Sequence, residues 1–460
     1  MLVMALQATE SQRLKMPGET KEKKYPLTLN SFFAGIGGFD LGFANAGFRI
    51  GFHCEIDPFC RSVLKRHWPQ VKETKDIVST LSGELPEADV WTGGFPCQDV
   101  SVARGWLGRE GLKGKRSGLF HVFLELIAER LPTVVLLENV TGLLSSHDGL
   151  DFETVISGLT DLGYGVAWRI LNSRYFGAPQ SRPRVFICAW QGSPASAIRS
   201  LYEDEASPRP SSERTGFLTA CPQTPSGAIV PEVAYCLAAT SGRHTGTDWS
   251  RSYVSYTDRV RRLTPSECEG LQGFPKGWTL PEPQIVLAEN EMDSLRYAAL
   301  GNAVCVPVVQ WIAARIRNEW AFQSSDRFDS VDILTPFPTD QPKIQVVLGE
   351  RNVGPYKFKW SSGGCAWKQD CLMTSASPAP VFPVASLFSD VLEHESVNEG
   401  HFLSANAAEG ILRRVRGQGR TLFAPLDAAL ERLATTIPNP RIVTSVSFPL
   451  LDREFSSITL

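Results

Sequence analysis

Leu27-Thr28-Leu29-Asn30-Ser31-Phe32-Phe33 runs straight into Ala34-Gly35-Ile36-Gly37-Gly38, and Phe39-Asp40-Leu41-Gly42-Phe43-Ala44 follows with helical spacing. A strand, a glycine-rich turn and a helix in immediate succession form the nucleotide-binding opening of a doubly wound α/β sheet. Glycines let the backbone approach a ligand, and the helix N-terminus offers free N–H groups and the positive end of its dipole. The spacing Gly35-x-Gly37-Gly38 departs from the dinucleotide pattern, so the turn alone does not name a ligand.

The chain has 460 residues, 43% hydrophobic and 21% charged, which describes a globular protein with a substantial core. A formal charge of −3 does not mark a nucleic-acid binder, so any such role must rest on local basic patches. No apolar run reaches the length of a membrane span, and the polar stretch Met1 to Lys24 is expected to be a partly disordered tail rather than a signal peptide. The cysteines Cys54/Cys60 and Cys365/Cys371 are too widely spaced for close metal-ligand pairs. A reduced, cytoplasmic protein without metal is the expectation.

Acidic residues stand where further strands should end. Arg49-Ile50-Gly51-Phe52-His53-Cys54 stops at Glu55, and Asp76 precedes Ile77. A carboxylate at the end of the second strand is placed to accept from ribose hydroxyls, or else to cap the helix starting near Pro58. Ala88-Asp89-Val90-Trp91 leads into Gly93-Gly94-Phe95-Pro96-Cys97-Gln98. Pro96 stiffens the turn, so Cys97 is either a nucleophile aimed into a cleft or a buried structural cysteine. Gln98 to Ser117 is rich in glycine and carries Arg104, Arg109, Lys113, Lys115 and Arg116, as a lid over a polyanion or an ordinary solvated loop would. Leu119 to Arg130 reads as a helix, and Val134-Val135-Leu136-Leu137 as a central parallel strand buried on both faces and ending in Glu138-Asn139-Val140. Gly142 to Leu162 is expected to be helical with a loop, and Tyr164 to Leu171 alternates like a strand. In Gln180-Ser181-Arg182-Pro183-Arg184, before the strand Val185 to Trp190, an extended backbone would put both guanidiniums on one face.

Taken in order, these motifs resemble the DNA (cytosine-5) methyltransferases over roughly Leu29 to Glu319. Phe33-Ala34-Gly35-Ile36-Gly37-Gly38 is similar to the S-adenosylmethionine loop, Phe95-Pro96-Cys97-Gln98 to the nucleophile motif, Glu138-Asn139-Val140 to the glutamate motif and Gln180 to Arg184 to the paired-arginine motif. Arg262-Leu263-Thr264-Pro265-x-Glu267 and Gly301-Asn302-Ala303-Val304 resemble the last two motifs. The resemblance implies a doubly wound, mostly parallel sheet of the S-adenosylmethionine-dependent methyltransferase fold. It implies catalytic roles for Cys97, Glu138, Arg182 and Arg184. It implies a cofactor site at Phe33, Ala34, Gly35, Ile36, Gly37, Gly38, Glu55, Ile56, Asp76, Ile77, Pro96, Leu119, Asn302, Ala303 and Val304, with Ile56 where relatives often carry an aromatic. DNA contacts are implied for Gln98, Ser101, Arg104, Arg109, Lys113, Lys115, Arg243 and Arg251.

That chemistry suits the residue types. Thiolate attack at carbon 6 makes carbon 5 of cytosine nucleophilic, a carboxyl shares a proton with ring nitrogen 3, and a guanidinium holds the carbonyl oxygen. The ring atoms are out of reach inside the stack, so the base must be flipped.

The expected organisation is a tail at 1–26, a catalytic and cofactor-binding domain at 27–190, a target-recognition region at 191–260, a return to the catalytic domain at 261–320 and a C-terminal extension at 321–460. Ser193 to Ser212 reads as a linker or surface excursion, and Ser361-Ser362-Gly363-Gly364 as a turn or loop. Val304 to Trp320 reads as the last helix of the catalytic domain, and two amphipathic helices follow Ser404, packed on the main domain or touching DNA through Arg413, Arg414, Arg416 and Arg420. Phe402 to Arg414 loosely resembles a stretch found with phage and prophage cytosine methyltransferases. The expectation is a monomeric enzyme acting on double-stranded DNA, with a restriction endonuclease or defence partner. The rivals are an RNA cytosine-5 methyltransferase, a catalytically silent DNA- or partner-binding module and a nicotinamide dehydrogenase. The arginine-bearing insert favours DNA, the intact Cys97, Glu138 and Arg184 favour catalysis, and the glycine spacing disfavours nicotinamide.

Overall fold

Alternating short strands and helices build one large sheet with helices on both faces. The computed structural model describes residues 26–81, 83–96, 118–203, 219–221, 227–242, 248–283, 285, 287–323, 343–349, 359–394 and 397–436. In chain order the first half comprises β1 (Thr28–Phe32), α1 (Gly38–Asn45), β2 (Arg49–Cys54), α2 (Pro58–His67), β3 (Lys72–Thr74), α3 (Ile77–Thr80), β4 (Val90–Gly93), α4 (Leu119–Arg130), β5 (Val134–Val140), α5 (Leu150–Asp161), β6 (Tyr164–Asn172), β7 (Gln180–Ser181), β8 (Pro183–Gln191) and α6 (Pro194–Leu201). The second half comprises β9 (Ala234–Tyr235), β10 (Tyr253–Ser255), β11 (Val260–Arg262), α7 (Pro265–Gln272), α8 (Glu289–Asn302), α9 (Val306–Gln323), β12 (Ile344–Val347), β13 (Gly363–Trp367), β14 (Asp370–Thr374), α10 (Ala405–Gly417) and α11 (Ala424–Thr435). The tail at 1–25 and the cationic loop lie outside the described residues. No single helix among the described residues is long and apolar enough to cross a membrane.

The ten-stranded sheet has the order β12-β14-β13-β6-β8-β5-β4-β1-β2-β3. Strands β3, β2, β1, β4 and β5 run parallel, which is the doubly wound half the sequence led us to expect. From β5 outward each pairing is antiparallel, because β8 returns against β5 and β6 against β8. The sheet order reverses between β1 and β4, and the carboxyl ends of strands flanking such a switch point leave an open crevice.

Alternation along the strands sorts the core onto two faces. Val134 and Leu136 of β5 join α1, α6 and α9 on one face, while Val135 and Leu137 meet α4 and α5 on the other. Both pairs are fully buried, as a run without polar interruption requires of a central strand.

Three expectations are corrected. Within the expected linker Ser193 to Ser212, Pro194–Leu201 is a helix capped by Ser193, with Ala195, Ala197, Ile198 and Leu201 buried. Its serines misled because Ser196 and Ser200 are satisfied internally, by Glu319 and by the Ser196 carbonyl. Gly363 and Gly364 form no turn but open β13, where a Cβ on Gly364 would sit 2.3 Å from the Trp168 ring. Glycine is needed there for close approach of strand and indole rather than for a bend. The last helix runs from Val306 to Gln323 rather than from Val304 to Trp320, and Asn302 closes α8 just before it.

The segment after α9 is also more integrated than an appendage. β13 pairs with β6, β14 with β13 and β12 with β14, so the C-terminal residues widen the catalytic sheet by three strands. The two helices after Ser404 form as expected, with Ala408, Ile411, Leu412 and Val415 of α10 buried at helical spacing. They pack against Tyr253 and Val260 of the β10–β11 hairpin, within the expected target-recognition region rather than on the main domain.

Candidate functional site

A cleft of about 720 Å³ opens at the carboxyl ends of the parallel strands, lined from the glycine turn, the β2 and β4 ends, Glu138, both arginines and the α8 C-terminus. One side begins at Phe33, which leaves β1 with a φ of 52° and turns the chain toward the cleft. Gly35 has a φ of 55°, with nothing within 4 Å of where a Cβ would stand. Its amide donates to Glu55 Oε2 at 2.7 Å, and the Asp57 amide donates to Glu55 Oε1 at 2.8 Å. Burial raises the Glu55 carboxyl above its ordinary value against the pull of those amides. The capping alternative for Glu55 falls to Asp57, whose side chain accepts from Cys60 N. Ile56, 74% exposed, offers an apolar surface within the cleft.

Behind the turn, Ala34 and Ile36 are buried, and Val304 packs over Gly38. Trp278 donates from Nε1 to the Ile36 carbonyl at 2.8 Å and thereby fixes the rear of the turn. No sequence signal marked Trp278, because its loop reaches Ile36 only through tertiary packing. Asn302 is exposed in the cleft and Ala303 is buried beneath it. Asp76 caps α3 by accepting from Val78 N, Ile77 is buried and Leu119 opens α4; none of the three lines the cleft.

On the opposite side Gly94, Phe95 and Pro96 follow β4 along the cleft. Asn139 donates to the Phe95 carbonyl at 2.9 Å, and its Oδ1 accepts from Val140 N at 2.8 Å. In the motif Glu138-Asn139-Val140 the glutamate is the titratable group, and Asn139 is a further site residue that only its hydrogen bonds reveal.

Glu138 and Arg184 meet inside the cleft, with Nε 3.1 Å from Oε1. Burial raises the Glu138 carboxyl above its ordinary value, opposed by Arg184 and then Arg182. Arg182 points elsewhere. It is 3% exposed and donates to the carbonyls of Leu237 at 2.8 Å, Gly301 at 3.0 Å and Ala303 at 2.7 Å. The two arginines line one cleft as expected but divide the work: Arg184 faces the carboxylate, while Arg182 ties three chain segments together. Cys236 Sγ lies 3.4 Å from Arg182 Nη1 and 3.7 Å from Arg184 Nη2. Gln180 completes the wall, accepting from Leu237 N and donating to the Leu271 carbonyl.

Cys97, Gln98, Ser101, Arg104, Arg109, Lys113, Lys115 and Arg243 lie outside the described residues. Arg251 is described, and its guanidinium donates to the Ser241 carbonyl and to Thr240 Oγ1. It therefore shapes the segment expected to read DNA.

Among the described residues no cluster of His, Cys, Asp or Glu could hold a metal ion. The family described as C-5 cytosine-specific DNA methylase matches residues 27–228 and 236–318. The type II methyltransferase M2.BsuMI of Bacillus subtilis (strain 168) is 34% identical over 311 residues, covering 62% of this chain and 74% of that protein. The type II methyltransferase M.NgoBI of Neisseria gonorrhoeae is 32% identical over 302 residues, covering 60% and 89%. A crystal structure of S. pombe Dnmt2 methyltransferase aligns with a TM-score of 0.46 at 18% identity, over 64% of this chain and 99% of that one. With more than half its length matched, the chain belongs to the C-5 cytosine-specific DNA methylase family.

Proposed function

We propose that this DNA cytosine-5 methyltransferase transfers a methyl group from S-adenosylmethionine to carbon 5 of a flipped cytosine in a short duplex site, with Cys97 as the nucleophile. The similarity to type II methyltransferases supports a role in restriction-modification; a cognate endonuclease as partner and a monomeric, cytoplasmic enzyme complete the proposal. The carrying observation is the Glu138–Arg184 pair, a carboxyl and a guanidinium in contact within the cleft that Pro96, the chain neighbour of Cys97, also lines.

The residues present fit the cofactor. Gly35 leaves open space where a side chain would obstruct, Glu55 is a buried carboxylate at the end of β2, and Ile56 exposes an apolar face for an adenine ring. Asn302 adds a polar group on the same cleft. Bound there, S-adenosylmethionine supplies an electrophilic methyl group. The Cys97 thiolate adds to carbon 6 of the base, which makes carbon 5 nucleophilic. Glu138, which burial shifts toward its protonated form, shares a proton with ring nitrogen 3. Arg184 donates toward the carbonyl oxygen and stabilises the charge that develops on the ring. Arg182 keeps the wall in place. Loss of the carbon 5 proton then expels the thiolate.

Bisulfite sequencing of DNA from cells expressing the protein tests this reading. The expected result is methylated cytosine within one short motif, absent with Cys97→Ser. Methyl label on tRNA and none on duplex DNA would overturn it, as would substantial methylation by Cys97→Ser.

A further inference from the structure

The C-terminal helices reach the hairpin that follows the expected recognition loop. Asp248, the first described residue after positions 243–247, is fully buried. Its Oδ2 accepts from Arg414 Nε of α10 at 2.7 Å, and its Oδ1 accepts from the Tyr253 hydroxyl at 3.1 Å. A carboxylate withdrawn from water in this way needs a cation or several donors beside it. The hydroxyl comes from the hairpin and the cation from the C-terminal extension.

The surrounding contacts make the same connection. Leu403 N donates to the Val260 carbonyl at 2.9 Å, and Phe402 bridges to Arg261. Arg432 Nε of α11 donates to the Thr257 carbonyl at 2.7 Å, in the turn between β10 and β11. Arg420 lies 4.5 Å from the Trp249 ring centroid, beside Asp248 in sequence. Tyr253 and Val260 share one apolar cluster with Ile411, Leu412 and Val415. The same extension is joined to the catalytic sheet through β13 on β6. The extension therefore forms a brace that meets the sheet through β13 and the hairpin through α10 and α11.

We infer that α10 and α11 position the target-recognition segment, and that Arg414 is the positioning residue that fixes its base through Asp248. This rests on assigning target recognition to residues 191–260. Four of the brace's arginines make contacts within the protein: Arg414 pairs with Asp248, Arg416 with Glu431, Arg420 covers Trp249 and Arg432 holds Thr257. The helical pair serves DNA reading by holding the reader, with Arg414 the arginine that reaches its buried carboxylate.

The test uses the full chain with Arg414→Met, Arg414→Lys and Arg243→Ala, assayed on a duplex carrying the methylated motif and on one altered at a single base pair. For Arg414→Met the preference for the intact motif should fall about tenfold through KM for DNA, with kcat and cofactor affinity within about twofold. Arg414→Lys should recover most of it, a rescue that a general loss of folded protein would not show. If Arg243→Ala loses preference while Arg414→Met keeps it, recognition lies where expected and the brace does not control it. If both keep it, the assignment of the region fails and the inference falls with it. If Arg414→Met lowers kcat alone in proportion to folded protein, its role is structural only. Should Arg414→Met not fold, Asp248→Asn carries the same expectation and the same refutations.

Discussion

Glu138 Oε1 and Arg184 Nε stand 3.1 Å apart because of strand register. Val140 of β5 pairs with Arg184 of β8 in an antiparallel ladder, and Glu138 lies one pleat further along the same face. Diagonal neighbours on adjacent strands are within reach of long side chains. The antiparallel return of β8 thus brings together two residues that are forty-six positions apart in the chain.

Burial dominates the Glu138 environment and raises its carboxyl above the ordinary 4.5. A group with a folded-state pKa raised in this way contributes stability below its unfolded value and loses it as pH rises through the folded value. The melting temperature of Glu138→Gln relative to wild type should therefore climb from pH 4.5 upward and level off above the folded value. A difference that is flat with pH would show that the carboxyl is not held up. Methyl transfer by this variant should fall by about 10²- to 10⁴-fold in kcat.

Asn139 spans from the Phe95 carbonyl to Val140 N and so joins the turn after β4 to the end of β5. Asn139→Ala should lower kcat about tenfold while leaving the cofactor dissociation constant within about twofold. Single-turnover kinetics and cofactor titration would check this, and an unchanged kcat would count against the connection.

Arg182 satisfies three backbone carbonyls in a buried position, and Met in its place would leave them without those donors. Arg182→Met should destabilise the fold by about 3 kcal/mol, measured by denaturant titration. Arg184→Met, at the more open position, should cost less stability and more activity.

Gly364 lies against the Trp168 ring and the Leu372 carbonyl, so a methyl group there must displace one of them. Gly364→Ala should destabilise the protein by about 1–3 kcal/mol if β13 is part of the cooperative sheet. An unchanged melting temperature would mean that the C-terminal strands unfold separately from the catalytic core.

Local chemistry was legible wherever a residue's role follows from its neighbours in the chain. The glycine turn after β1, the uninterrupted apolar β5 and the paired arginines announce themselves at short range, since propensity and hydrophobic period act within a few residues. The motif order led to the family, and the amphipathic periods of α10 and α11 were visible in the same way.

Long-range pairing decided the remainder. Gly363 and Gly364 read as a turn because glycine commonly marks one, yet the Trp168 ring requires glycine in a strand. Ser193 to Leu201 reads as a linker because serines are polar, yet internal hydrogen bonds let them be buried. Arg182 and Arg184 look equivalent in the chain, and only the fold gives one three carbonyls and the other a carboxylate. The sequence alone determined which chemistry is present and in what order. Tertiary structure decided which partner each charged group meets, because a buried charge is settled by whatever donor or acceptor the register brings within hydrogen-bond distance.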